Sequence, residues 1–151
     1  MLRPGDKAPD FELADPDETP VSLGSLLEAG PLLLYFYPAD FTPLCTKQAC
    51  LFNDEHQRLH AVGARVVGVS AQSPPTHRRF REQQGLAFPL LSDPGRRVAR
   101  AYGATAAFGL LPRRISYDVD VDRTILDAAE ANFSLQAHKR FIDRAIARRR
   151  A

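Results

Sequence analysis

The chain has 151 residues, a net charge of +2, 44% hydrophobic and 25% charged residues, and two cysteines. That length suits a single domain, residues 1–151, with its own core; the small net charge makes no global case for nucleic acid, and no apolar run approaches the roughly 20 residues that span a bilayer. The opening Met1-Leu2-Arg3-Pro4-Gly5-Asp6 lacks an apolar signal core, which predicts a cytoplasmic, reducing setting where two cysteines suggest catalysis, redox chemistry or metal binding before a structural staple.

Phe11 to Leu13 and Val21 to Leu23 flank Asp15-Pro16-Asp17-Glu18, which predicts a small N-terminal hairpin. Ser25 is expected to start a short helical turn that ends near Gly30. Leu32 to Tyr37 is apolar without alternation, as a strand buried on both faces would be. Thr42 is a credible N-cap with Pro43 at N1, and Leu51, Phe52, Leu59 and Val62 continue a helical stripe to Gly63. Ala64 to Ser70 reads as a second inner strand. Ser73-Pro74-Pro75 opens a helix that stops near Gly85. Phe88 to Leu91 is a short strand before the turn Asp93-Pro94-Gly95, and Arg96 to Tyr102 is a helix closed by Gly103. After a loop rich in Ala, Gly and Leu, Ile115 to Val121 and Thr124 to Ala129 form a hairpin turning at Asp122-Arg123. Ser134 caps a last helix, with Leu135, Phe141, Ile142 and Ala145 facing inward. This order implies an α/β fold with a parallel sheet core, extended by antiparallel strands and covered by helices.

Chemistry concentrates in Tyr37 to Cys50. With Thr42 as N-cap, Cys45 is N3, in the first helical turn. Unpaired N–H groups and the helix dipole there favour thiolate over thiol. A thiolate attacks an electrophile, and an oxidised sulfur is captured by a second thiol. Cys50 is the only other cysteine. In an ideal helix, residues i and i+5 have Cα atoms about 8.7 Å apart. A disulfide rarely tolerates more than about 7 Å. Cys45 and Cys50 therefore cannot bond while both sit in intact helix; pairing requires unwinding around residues 42–52.

Pro38-x-x-x-Thr42-x-x-Cys45 resembles the active-site motif of the peroxiredoxins. Cys45-Thr-Lys-Gln-Ala-Cys50 is similar to the bacterioferritin comigratory protein/peroxiredoxin Q subfamily, of the atypical two-cysteine type. Gly5-x-x-Ala8-Pro9-Asp10-Phe11 resembles the family's opening, and Arg114-Ile115-Ser116-Tyr117 its catalytic-arginine strand. The resemblance implies a thioredoxin-like fold, a mixed sheet in three α/β/α layers, and thiol peroxidase activity on hydrogen peroxide and organic hydroperoxides. Cys45 would be peroxidatic and Cys50 resolving. Thr42 would hydrogen-bond the peroxide, Pro38 would shield the sulfur, and Arg114, favoured over the adjacent Arg113 by its spacing to Ser116-Tyr117, would stabilise thiolate and departing oxygen. No metal or organic cofactor is implied. The implied partners are the peroxide and thioredoxin or a similar dithiol reductant, with neither nucleic acid nor membrane. A monomer is expected, with a weak homodimer as the alternative. The chain departs from the subfamily at Leu44, often glycine; at Asp118, usually apolar; and at Asp122-Arg123, usually Asp-Gly.

Other features carry blander expectations. The basic clusters at Arg78 to Arg81, Arg96 to Arg100 and Arg148 to Arg150 read as solvated helix faces and a frayed tail. Gln48 reads as a helix former with a polar contact. His56 and His60 have a spacing that can hold a metal, without an evident third ligand. Two further functions compete: a thiol–disulfide oxidoreductase, which predicts an absent Cys-x-x-Cys, and a metallochaperone using both cysteines with a histidine.

Overall fold

The computed structural model describes residues 1–106, 111–130 and 134–150. The chain opens with the hairpin β1 (Glu12–Ala14) and β2 (Pro20–Ser22), paired through Leu13 and Val21. Helix α1 (Leu23–Leu27) is capped by Ser22, one turn earlier than the sequence suggests, and Ser25 completes a reciprocal capping box as its N3 residue. The central strand β3 (Leu32–Phe36) is buried throughout, as its unbroken apolar run requires.

Helices α2 (Pro43–Asp54) and α3 (His56–Ala61) follow. The sequence suggests one continuous helix here, but Glu55 interrupts it with φ −91° and ψ 0°. The Glu55 carboxylate accepts from Arg58 at 2.5 Å and pairs with Lys139 at 3.0 Å. Strand β4 (Arg65–Ser70) and helix α4 (Pro74–Gln84) come next, and α4 ends at Gly85 with φ +62°. Strand β5 (Leu90–Ser92) begins two residues later than expected. After a single turn of 3₁₀ helix at Pro94–Arg96 comes α5 (Arg97–Ala101). The Ala/Gly/Leu-rich stretch lies partly outside the described residues; its flanks pair as β6 (Thr105–Ala106) and β7 (Leu111–Pro112). The expected hairpin is β8 (Ile115–Val119) and β9 (Ile125–Glu130), and α6 (Leu135–Arg150) closes the fold. Ser134 Oγ accepts from the N–H of Ala137 at 3.1 Å, as a cap should.

Seven strands form one sheet in the order β2-β1-β5-β4-β3-β8-β9. The β3–β4 and β4–β5 pairs are parallel and the remaining pairs antiparallel. Side chains of β3 alternate between two cores. Leu32, Leu34 and Phe36 pack with residues of α1 and α5, whereas Leu33 and Tyr35 pack with α2, α4 and α6. The sheet is thus the middle of three layers. Tyr35 lies opposite Gly68 in the β3–β4 register, and a Cβ there would come 2.8 Å from the tyrosine ring. Glycine leaves room for that ring, which stacks on Phe52 of α2 at 4.5 Å between centroids. That contact seats α2 over the C-terminal half of β3.

Asp118 is wholly buried on β8, where the resemblance leads one to expect an apolar residue. Arg148 and Arg149 of α6 both donate to its carboxylate, so the end of α6 is an anchored clamp instead of a frayed tail. Asp127 of β9 extends the network by accepting from Arg144 at 2.8 Å. The apolar residue is replaced by a charge that brings its own partners. The double substitution Arg148→Met/Arg149→Met strands this carboxylate, with an expected loss of about 3–5 kcal/mol. The urea midpoint checks it, and Arg149→Met alone should shift the midpoint less because Arg148 remains.

Candidate active site

The loop from β3 to α2 carries Pro38 and Thr42, both half-buried. It leaves the C-terminal end of the central strand, the usual place for function in an open α/β sheet. Thr42 is the N-cap of α2 by backbone conformation and Pro43 is N1. The threonine side chain, however, makes no cap bond. Its hydroxyl donates to Ala39 C=O at 3.2 Å, while its own carbonyl accepts from the N–H and the hydroxyl of Thr46 at 2.9 and 2.8 Å. The first-turn N–H groups of α2 are thus left without a side-chain cap, beside Cys45.

Cys45 is 1% exposed and packs in the core beneath α2, so only a small reagent reaches its sulfur without rearrangement. Arg114 immediately precedes β8. Because Phe36 pairs with Ile115, the antiparallel register brings Arg114 level with the end of β3. Its Nη1 donates to Cys45 Sγ at 3.1 Å and to Gln48 Oε1 at 2.8 Å. The neighbouring Arg113 points elsewhere, forming a two-pronged ion pair with Glu130. A buried guanidinium fixed against sulfur places a permanent cation with rigid donors at the reacting atom.

Gln48 is the helix residue with a polar contact that the sequence suggests, and that contact is with Arg114. It is 0% exposed and orients the arginine, and among the described residues its Nε2 has no hydrogen-bond partner. Its position three residues after Cys45, on the same helical face, was the available signal. Cys50 is half-buried, and both cysteines are free thiols. The Cys50 thiol points toward α4, donating to Gln84 Oε1 at 3.6 Å. Both cysteines lie within one unbroken α2, the state in which a five-residue spacing forbids a bond. Leu44, at N2, is half-buried.

Asp40 and His77 escaped the sequence reading. Asp40, in the loop, accepts from Tyr37 OH at 2.6 Å and faces His77 Nδ1 at 2.6 Å. Burial first, then the Asp40 carboxylate, pushes the Tyr35 phenol well above its ordinary range. Burial first, then Tyr35 and Asp40, does the same to Tyr37, which therefore stays a donor at neutral pH. Phe41, 44% exposed, has φ +66° and meets Phe80 of α4 edge-on at 5.1 Å.

The His56 and His60 rings lie 6.1 Å apart, and among the described residues no group of three or more His, Cys, Asp or Glu side chains could hold a metal. A groove of about 510 Å³ between β1 and α5, lined by Phe11, Leu13, Pro94 and Arg97 among others, contains neither cysteine. Its size reflects a gap between elements, whereas the convergent polar groups are at Cys45. Among the described residues, no helix is long and apolar enough to cross a membrane.

Comparison with known proteins agrees with this geometry. Residues 4–128 match the AhpC/TSA family. The chain is 40% identical over 135 residues to the chloroplastic peroxiredoxin Q of Oryza sativa subsp. japonica, covering 89% of this chain but only 62% of the rice protein. It superposes on the crystal structure of peroxidoxin BcpB from Mycobacterium tuberculosis with a TM-score of 0.89 and 39% identity, over 99% of this chain and 97% of that one. The bacterioferritin comigratory protein of Xanthomonas campestris, studied for its alkyl peroxide reduction activity, gives a TM-score of 0.82 and 25% identity over 92% of each chain. The three-layer mixed sheet is accordingly thioredoxin-like, and the chain belongs to the AhpC/TSA family, within its peroxiredoxin Q/bacterioferritin comigratory protein branch.

Proposed function

We propose that the chain is a thiol peroxidase that reduces hydrogen peroxide and organic hydroperoxides through Cys45. The observation that carries this reading is the 3.1 Å contact between Arg114 Nη1 and Cys45 Sγ, in the first turn of α2. The Cys45 thiolate attacks one peroxide oxygen and the O–O bond breaks. That oxygen stays on sulfur as sulfenic acid, and the other leaves as water or alcohol after taking a proton. Negative charge moves from sulfur to the leaving oxygen, so one fixed guanidinium serves both ends of the step. Thr42 takes the peroxide hydrogen bond once its hydroxyl turns from Ala39. Pro38 keeps water from the sulfur.

Cys50 then attacks the sulfenic sulfur and expels water, giving an intramolecular disulfide. This step unwinds α2 and detaches Cys50 from Gln84. Thioredoxin or a similar dithiol protein returns both thiols. The cycle fits antioxidant defence and redox homeostasis, in a cytoplasmic monomer that uses no metal or organic cofactor. Leu44, in the turn that must open, tunes how readily it does so.

Counting thiols tests the scheme. One equivalent of hydrogen peroxide should consume both thiols of the reduced protein and add no mass beyond the loss of two hydrogens. In Cys50→Ser the reaction should stop at a sulfenic acid trapped by dimedone, and steady-state turnover with thioredoxin should fall at least tenfold. Unchanged turnover in Cys50→Ser removes Cys50 from the resolving role.

A further inference from the structure

We propose that Asp40 and His77 are positioning residues of the Cys45 reaction: a buried, proton-bridged pair that locks the loop carrying Pro38 and Thr42. The proposal rests on the peroxidase reading and adds two residues to it. Both side chains are 0% exposed. Asp40 Oδ1 accepts from Tyr37 OH at 2.6 Å, and Oδ2 lies 2.6 Å from His77 Nδ1. The Asp40 backbone N–H donates to Gln72 Oε1 at 3.2 Å, an oxygen that also accepts from Ser70 Oγ at 2.5 Å. The second ring nitrogen of the histidine, Nε2, lies 3.2 Å from the carbonyl of Leu91. One loop residue is thereby tied to the end of β3, the segment after β4, helix α4 and strand β5.

A contact of 2.6 Å between a ring nitrogen and a carboxyl oxygen is attractive only with a hydrogen between the two atoms, and burial leaves no water to supply one. Whichever atom carries it, that hydrogen ties α4 to the loop.

The loop needs such an anchor. Phe41, between Asp40 and Thr42, holds φ +66°, a left-handed conformation that an aromatic residue adopts only when its surroundings impose it. On one side the chain is committed to α2. On the other it is held by Asp40. Phe80, one turn after His77 on α4, supports the Phe41 ring from the same face of that helix. Release of Asp40 lets Phe41 relax, and Thr42, the next residue, loses its fixed relation to Cys45. A displacement of about 1 Å in a positioning group is enough to cost about two orders of magnitude in rate.

Two substitutions separate positioning from general stability. His77→Leu leaves a buried carboxylate with no bridge. Asp40→Asn satisfies every partner without that bridging hydrogen: its Oδ1 accepts from Tyr37, its Nδ2 donates to His77 Nδ1, and a hydrogen on Nε2 faces the Leu91 carbonyl. Stopped-flow reaction of reduced protein with hydrogen peroxide should be at least tenfold slower in His77→Leu and within threefold of wild type in Asp40→Asn. In wild type, proton NMR should show a bridging resonance coupled to the His77 ring, far downfield of ordinary imidazole N–H signals and absent from Asp40→Asn. His77→Leu reacting at the wild-type rate, or Asp40→Asn as slow as His77→Leu, overturns the proposal. So does absence of the bridging proton in wild type, a result that does not depend on either variant folding. Failure of wild type to consume peroxide at all would instead end the peroxidase reading.

Discussion

Cys45→Ser is expected to reduce peroxide consumption to the rate of buffer alone, while the protein keeps its fold. The side chain is 1% exposed and fills a core position beneath α2, and serine is close enough in shape to leave that packing intact. What serine lacks is an ionised nucleophile at neutral pH. A thiol is readily made a thiolate by a helix N-terminus and a cation, whereas a hydroxyl is not. No second thiol can substitute, because Cys50 lies more than a turn further along α2 and points to Gln84. Peroxide consumption coupled to thioredoxin, compared with circular dichroism of the same sample, checks both halves of the expectation. Consumption at the wild-type rate by folded Cys45→Ser ends the peroxidase reading.

Arg114→Met is expected to slow the reaction of Cys45 with hydrogen peroxide by about 10²–10³-fold, the usual cost of removing one fixed donor from a site of developing charge. Nη1 of this arginine touches sulfur and Gln48 together, so the substitution removes a cation and loosens the glutamine that aims it. Methionine keeps much of the stem volume, which makes the missing charge the main difference. Arg114→Lys should recover only part of the rate. A lysine supplies charge but not a planar fork that spans two acceptors. Arg113→Met should leave the rate near wild type, since that side chain is committed to Glu130.

The parts of this site that were legible in the sequence are those set by local spacing. An apolar run without alternation marked β3, Thr42-Pro43 marked the start of α2, and the five-residue interval between cysteines followed directly. Arg114 was legible through the motif that surrounds it, and the register of β3 with β8 supplies the physical reason it arrives at Cys45. Contacts across long sequence separations were not legible. His77 meets Asp40 from 37 residues away, and Arg148 and Arg149 reach Asp118 from about 30. Each lies on a different element from its partner, so no helical or strand period reveals it. A run of arginines at a chain end then looks like a tail, although it neutralises a charge within the sheet. Thr42 shows a finer limit: its type and position predicted a capping side chain, yet the backbone alone forms the cap and the hydroxyl turns to Ala39.

The contacts that hold Cys45 and the disulfide belong to two incompatible arrangements of α2. Intact helix holds Cys45 on Arg114 and Cys50 on Gln84. Bond formation requires the turns between them to open, since the helical separation exceeds disulfide reach. Amide hydrogen exchange of residues 42–52, measured on fully reduced protein and on protein oxidised by one equivalent of hydrogen peroxide, tests this claim most directly. The account predicts markedly faster exchange across this segment in the oxidised form, with strands β3 and β4 unchanged. Identical exchange in the two forms, with mass analysis confirming the Cys45–Cys50 bond, would contradict it.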